Sequence, residues 1–150
     1  GTVTEFAAES RGSAVKWSGT TESGQVISSE ALSGVVTVMN FWYAGCAPCR
    51  AEAPDLVDLQ KEFSDAQFVG VNVRDSGATA KAFEKNFDIT WPSVIDANTG
   101  SVLLAFTGIV TPQAVPTTIV IGKDGKVTAR VLGRIDKSIL RTLIKSAIAE

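Results

Sequence analysis

Residues 35–42 read Val-Val-Thr-Val-Met-Asn-Phe-Trp, almost unbroken apolar and β-branched sequence. Such a run suits a strand buried on both faces, as in a parallel sheet with helices above and below. Tyr43-Ala44-Gly45 follows, and then Cys46-Ala47-Pro48-Cys49. Proline is favoured in a first helical turn because its missing N–H would be unpaired there anyway, so a helix is expected to start near Ala47-Pro48. Leu56, Leu59 and Phe63 continue it with an apolar stripe, and Pro54 inside it predicts a kink.

The rest of the chain supplies the partners such a strand needs. Residues 1–12 are polar and small and read as a flexible tail. Residues 14–17 and 25–27 flank a turn-rich segment and predict a short β-hairpin. Residues 28–32 predict one helical turn, closed by Gly34. Residues 67–73 form a second core strand. Ala80, Phe83 and Phe87 lie at helical spacing, residues 93–95 suggest a short extra strand, and residues 102–106 a short helix. Residues 117–121 and 127–131 are strands around the turn Lys123-Asp124-Gly125-Lys126. Asp136 is placed to cap a last helix, with Ile139, Leu143 and Ala147 on one stripe and Leu140, Ile144 and Ile148 beside it. No repeat or linker divides the chain, so residues 1–150 read as one domain. The order of elements implies an α/β fold, a mixed central sheet flanked by helices, with an N-terminal hairpin and a central α/β insertion. A site is expected where a core strand hands over to its helix.

Composition removes several chemistries. The chain has two cysteines and no histidine. That excludes Ser-His-Asp and Cys-His catalysis and any histidine metal ligand. A four-ligand zinc site would need carboxylates or a second chain, so no metal is expected. The net charge of −2 and scattered basic residues argue against nucleic acid as a partner. The apolar run at 35–41 is too short to span a bilayer. The polar start at Gly1 shows no signal peptide, so an export signal or anchor would have to lie upstream.

The cysteine pair sits at the expected strand-to-helix junction. At a helix start the first sulfur meets unpaired backbone N–H groups and the positive end of the helix dipole. Both favour thiolate, the species that attacks disulfides. The second sulfur, one turn on, is within reach to resolve a mixed disulfide. Cys46 is therefore assigned as the attacking and Cys49 as the resolving cysteine. The alternatives are a permanent structural disulfide, which would close a very small loop, and half of a zinc site shared between chains.

The segment from Phe41 to Pro54 resembles the active-site segment of thioredoxin-fold proteins, and within them the extracytoplasmic TlpA/ResA-like branch. Trp91-Pro92, Val115-Pro116-Thr117-Thr118 and Lys123-Asp124-Gly125-Lys126 extend the likeness. The resemblance implies a thiol–disulfide oxidoreductase outside the cytoplasm, exported or membrane-anchored. Its implied substrates are protein disulfides or thiols, apocytochrome c cysteines during cytochrome c maturation among them. It also implies a membrane electron donor, and no cofactor beyond the redox-active disulfide. A monomer is expected. The rival readings are a thiol peroxidase and a non-catalytic peptide-binding module with a structural disulfide.

Several neighbours carry expectations. The resemblance implies a cis Pro116 beside the sulfurs, where the backbone of Val115 would pair with an extended substrate; the alternative is a trans proline that starts the next strand. Asn40 stands where cytoplasmic thioredoxins carry a buried aspartate. It does not titrate and is expected to satisfy buried backbone groups. Glu52, three residues after Cys49, shares that cysteine's helix face. Partial burial would raise its pKa and suit it to proton transfer, a role the resemblance also implies; the alternative is a solvated glutamate at a helix start. Trp42 is expected to cover the site and contact substrate, with packing as the equal alternative. Arg50 is expected to face solvent or to steer acidic partners. The segment 107–115 either shapes substrate choice or is a plain surface excursion. Ala47-Pro48 carries no charge between the cysteines, which argues for a reducing or intermediate potential.

Overall fold

Side chains alternate across a strand, and the two faces of the central strand bury different cores. The computed structural model describes residues 1–150. Strand β4 (Val36–Trp42) is buried at all seven positions. Val36 and Val38 join a core with Leu56, Leu59, Leu140 and Ile144. Met39 and Phe41 join another with Trp17, Val102 and Phe106. The expectation of a strand covered on both faces holds.

The elements before β4 are β1 (Thr2–Glu5), β2 (Ser18–Thr20), β3 (Val26–Ser28) and 3-10 turns at Ala8–Ser10 and Glu30–Leu32. After it come α1 (Ala47–Glu62), β5 (Ala66–Asn72), α2 (Gly77–Phe87), β6 (Ser93–Ile95), α3 (Ser101–Ala105), β7 (Thr117–Ile121), β8 (Val127–Leu132) and α4 (Lys137–Ile148). The main sheet has the order β1-β8-β7-β4-β5-β6. β4, β5 and β6 are parallel, while β7, β8 and β1 pair antiparallel. The fold is a mixed sheet flanked by helices, as the pattern of elements implied.

Three local expectations change. Thr2–Glu5, read as part of a tail, is an edge strand paired with residues 129–132 of β8. Arg11 fixes this end further by donating to both carboxylate oxygens of Glu150, at 2.7 and 3.0 Å. Sequence windows miss such a strand because its partner lies far along the chain. The hairpin is shifted: its strands are 18–20 and 26–28, and its turn is closed by Gly24 N–H on Thr21 O at 2.9 Å. Gly19 permits this by letting the hairpin approach β6, since a Cβ there would lie 2.3 Å from Val94 Cγ1. In α4 the buried stripe is Leu140, Leu143, Ile144 and Ala147, and Ile139 faces solvent. Asp136 caps that helix as expected, accepting from Ile139 N at 3.1 Å.

The hairpin is also held by a pair of acids. Glu22 Oε2 accepts the Ser93 N–H at 2.7 Å. The Glu84 carboxyl of α2 interacts with the Glu22 carboxyl. One oxygen of Glu84 is buried with no donor. Two acceptor-only groups side by side need a proton between them. Burial, followed by Glu22, pushes Glu84 from its ordinary 4.5 up to about 8. The native state therefore keeps a proton that the unfolded chain loses near pH 4.5, so stability falls as pH rises from about 4.5 to about 8. Glu84→Gln, whose amide can donate to Glu22 at any pH, is expected to flatten that fall. Urea midpoints measured across this window check it, and an unchanged slope counts against the shared proton.

Candidate active site

The antiparallel register of β4 and β7 builds the site. Phe41 lies opposite Thr117. The residues after β4 and those before β7 must then meet at the same end of the sheet. Cys46 and Cys49 are joined in a disulfide at this end. The Val115–Pro116 peptide bond is cis, as the resemblance implied. Val115 O lies 3.9 Å from Cys46 Sγ.

Cys46 is the N-cap of α1, and its sulfur accepts the Cys49 N–H at 3.2 Å. This is the helix-start geometry expected to favour a thiolate. Both cysteines are 3% exposed, and they differ in that Cys46 Sγ accepts a backbone N–H. The loop around the pair is open, with Gly45, Ala47 and Pro48 exposed.

Glu52 is fully buried. One helical turn after Cys49, it points into the sheet, where Asn40 Nδ2 donates to Oε2 at 2.8 Å and the Ile135 N–H donates to Oε1 at 3.0 Å. Burial raises its pKa from 4.5 to about 7, against the lowering effect of the Ile135 and Asn40 bonds. The solvated alternative for Glu52 does not describe this residue. Asn40 differs from expectation. Its amide serves side chains and not backbone groups, donating also to Thr118 Oγ1 at 3.0 Å. Strand alternation puts it on the α1 face with Val38, and the register places Thr118 directly opposite.

Trp42 is 4% exposed, stacks on Phe83 at 4.5 Å between centroids, and donates from Nε1 to Ser93 Oγ at 3.0 Å. It packs in one cluster with the two cysteines. Gly70 makes room for that bond: a Cβ there would lie 2.1 Å from Ser93 Oγ and 2.9 Å from Trp42 Nε1. Cys49, Trp42, Asn40, Phe83 and Ser93 border a cavity of about 10 Å³. A groove of about 830 Å³ lies elsewhere, between residues 14–18 and the β7–β8 turn, and neither cysteine lines it.

Other groups escaped the sequence reading. Asp75 Oδ2 accepts the Ala44 N–H at 2.7 Å and Asn72 Nδ2 at 2.9 Å. Asn72 Oδ1 accepts the N–H groups of Arg74 and Asp75 at 3.1 and 2.7 Å. An Asn that ends a core strand and an Asp three residues on are the signal that would have found this clamp. Arg50 is exposed as expected, though its Nη1 also lies 3.5 Å from Ala44 O. In the segment 107–115, Val110 is buried against the α3 side of the sheet, and Arg130 Nη1 donates to Ile109 O at 3.1 Å.

Residues 11–130 match the AhpC/TSA family. The thiol-disulfide oxidoreductase ResA of Bacillus subtilis is 33% identical over 119 residues, which cover 78% of this chain and 64% of that protein. The chain thus spans just under two thirds of the length of that curated relative. Among solved structures, a DsbF homologue from Corynebacterium diphtheriae superposes with a TM-score of 0.87 at 30% identity, covering 97% of this chain and 93% of that one. A secreted thiol-disulfide isomerase from Corynebacterium glutamicum superposes with a TM-score of 0.90 at 25% identity, covering 99% and 92%.

Asn40→Ala removes a donor that stabilises the Glu52 carboxylate. It is expected to move the Glu52 pKa above about 7. It is also expected to cost about 1–3 kcal/mol, because buried groups lose a partner. A carbon-13 titration of the Glu52 carboxyl and urea unfolding check both, and an unmoved titration contradicts the assigned hydrogen bond.

Proposed function

The chain belongs to the AhpC/TSA family and is TlpA/ResA-like within it, and from that premise we propose that it is a thiol–disulfide oxidoreductase acting on protein disulfides through Cys46 and Cys49. The observation that carries this reading is the disulfide at the first turn of α1, with Cys46 Sγ accepting a helix-start N–H. In the reduced protein, Cys46 thiolate attacks one sulfur of a substrate disulfide. That S–S bond breaks, a mixed disulfide forms, and the first substrate thiolate leaves. Cys49 thiolate then attacks the Cys46 sulfur and releases the second. Two electrons pass from the dithiol to the substrate, and Cys46–Cys49 is left oxidised, to be reduced again by an external dithiol donor.

Cys49 must lose a proton before it attacks. Glu52, on the same helix face and titrating near neutrality, is the group assigned to take it. Asn40 acts through Glu52 by orienting its carboxylate. The backbone of Val115 beside Pro116 is the edge offered to an extended substrate segment. Trp42, buried in one cluster with the pair, supports it. The uncharged Ala47-Pro48 spacer supports the reducing direction. An extracytoplasmic site of action, apocytochrome c cysteines as substrate and a membrane-borne donor complete the proposal, on the strength of the ResA-like resemblance. A peroxidase reading gains little from the arginine nearest the pair in sequence, since Arg50 turns onto Ala44 O and the Phe87 ring.

Cys49→Ala leaves Cys46 without its resolving partner and is expected to accumulate mixed disulfides with substrate proteins, released by dithiothreitol and identified by mass spectrometry. Absence of such adducts from an extracytoplasmic extract speaks against the exchange mechanism. Glu52→Gln is expected to abolish an inflection near pH 7 in the rate of Cys49 alkylation in the reduced protein. An unaltered pH profile removes Glu52 from proton transfer.

A further inference from the structure

The loop that leads into Cys46 is bracketed by two fixed cations. The Arg74 guanidinium lies 3.9 Å from the centroid of the Tyr43 ring. The Arg50 guanidinium reaches the next residue, with Nη1 3.5 Å from Ala44 O, and lies 5.3 Å from the Phe87 ring. One of the chain's three cation–π contacts is thus on this loop, and a second joins Arg50 of α1 to Phe87 of α2. Both arginines are exposed, and neither is in an ion pair. The acid next to Arg74, Asp75, already serves Ala44 N–H and Asn72 with the same oxygen.

Helix stability does not explain Arg50. It stands in the first turn of α1, where the dipole favours acidic residues and opposes a cation. Nor does the average surface explain the pair, because the chain carries a net charge of −2. A guanidinium stacked on a ring is already oriented, so less rotamer freedom is lost when it pairs with a carboxylate. Carboxylate is the group that a planar guanidinium fork matches.

We propose that Arg74 and Arg50 form a docking surface for an acidic polypeptide, receiving carboxylates that flank the substrate's reactive disulfide. This rests on the thiol–disulfide reading and names the substrate class of the same site.

The test uses three disulfide-linked peptides of equal length, flanked by glutamate, by lysine or by neutral residues, each mixed with the reduced protein. At low salt the glutamate peptide is expected to exchange about tenfold faster than the lysine peptide, the size expected of two exposed ion pairs. The ratio should shrink toward unity at about 0.5 M salt, where screening lengths fall to a few Å. It should approach unity in Arg50→Gln/Arg74→Gln, invert in Arg50→Glu/Arg74→Glu, and shrink in Arg74→Lys, which keeps the charge but loses the stacked planar fork. Exchange of all three wild-type reactions at one rate overturns the docking surface and leaves the redox reading standing. A preference that survives the double glutamine variant likewise overturns it. Failure of the wild type to exchange with any peptide, the neutral one included, overturns the redox reading and the docking surface with it.

Discussion

A strand buried on both faces offers no water to a polar side chain, so each polar residue it carries must be answered from inside the protein. β4 is such a strand, and Asn40 is its most polar residue. Its answer is Glu52 of α1 together with Thr118 of β7. The other oxygen of Glu52 takes the N–H of Ile135, just ahead of α4. One amide–carboxyl contact therefore joins the central strand, the helix that carries both cysteines, the neighbouring strand and the approach to the last helix. The same burial that demands these bonds keeps the Glu52 proton in place until about neutral pH.

The disulfide end of the molecule follows from strand order. The parallel step from β4 to β5 requires a crossover, and α1 supplies it, which puts a helix start directly after the strand. The antiparallel step from β4 to β7 brings Val115 and Pro116 to the same end. Neither step alone makes a site; together they set a backbone carbonyl beside a capped sulfur. On the other flank, the residues after β5 return to the loop, and Asp75 holds the Ala44 N–H. The loop before Cys46 is thereby fixed from the side opposite α1, with two guanidinium groups left facing out.

Legibility differed by the range of the interaction. The strand at 36–42, the helix start at Ala47-Pro48 and the Asp136 cap were readable because each depends on neighbours a few residues away. The pairing of Thr2–Glu5 with β8 was not, since its partner lies more than a hundred residues along the chain. The hairpin was readable in kind and misplaced by a few residues, because the contact of Gly19 with Val94 set its register. Glu52 was readable as a candidate from its spacing to Cys49. That its burial is complete, and that Asn40 is its partner, required the packing of α1 on β4.

Local sequence was enough to place a redox-capable cysteine pair at a strand-to-helix junction. Spacing, proline and the apolar run before the pair are local facts, and helix starts obey local rules. The sequence also removed imidazole as a proton carrier, because the chain has no histidine. Folding decided that Glu52 is buried against Asn40 and the Ile135 N–H, and where its pKa lies. It likewise decided which backbone carbonyl faces Cys46, and that Trp42 packs with the pair while Arg50 and Arg74 stand outside it. Those outcomes depend on desolvation and on contacts between residues distant in the chain, and neither exists until the sheet and its helices close around them.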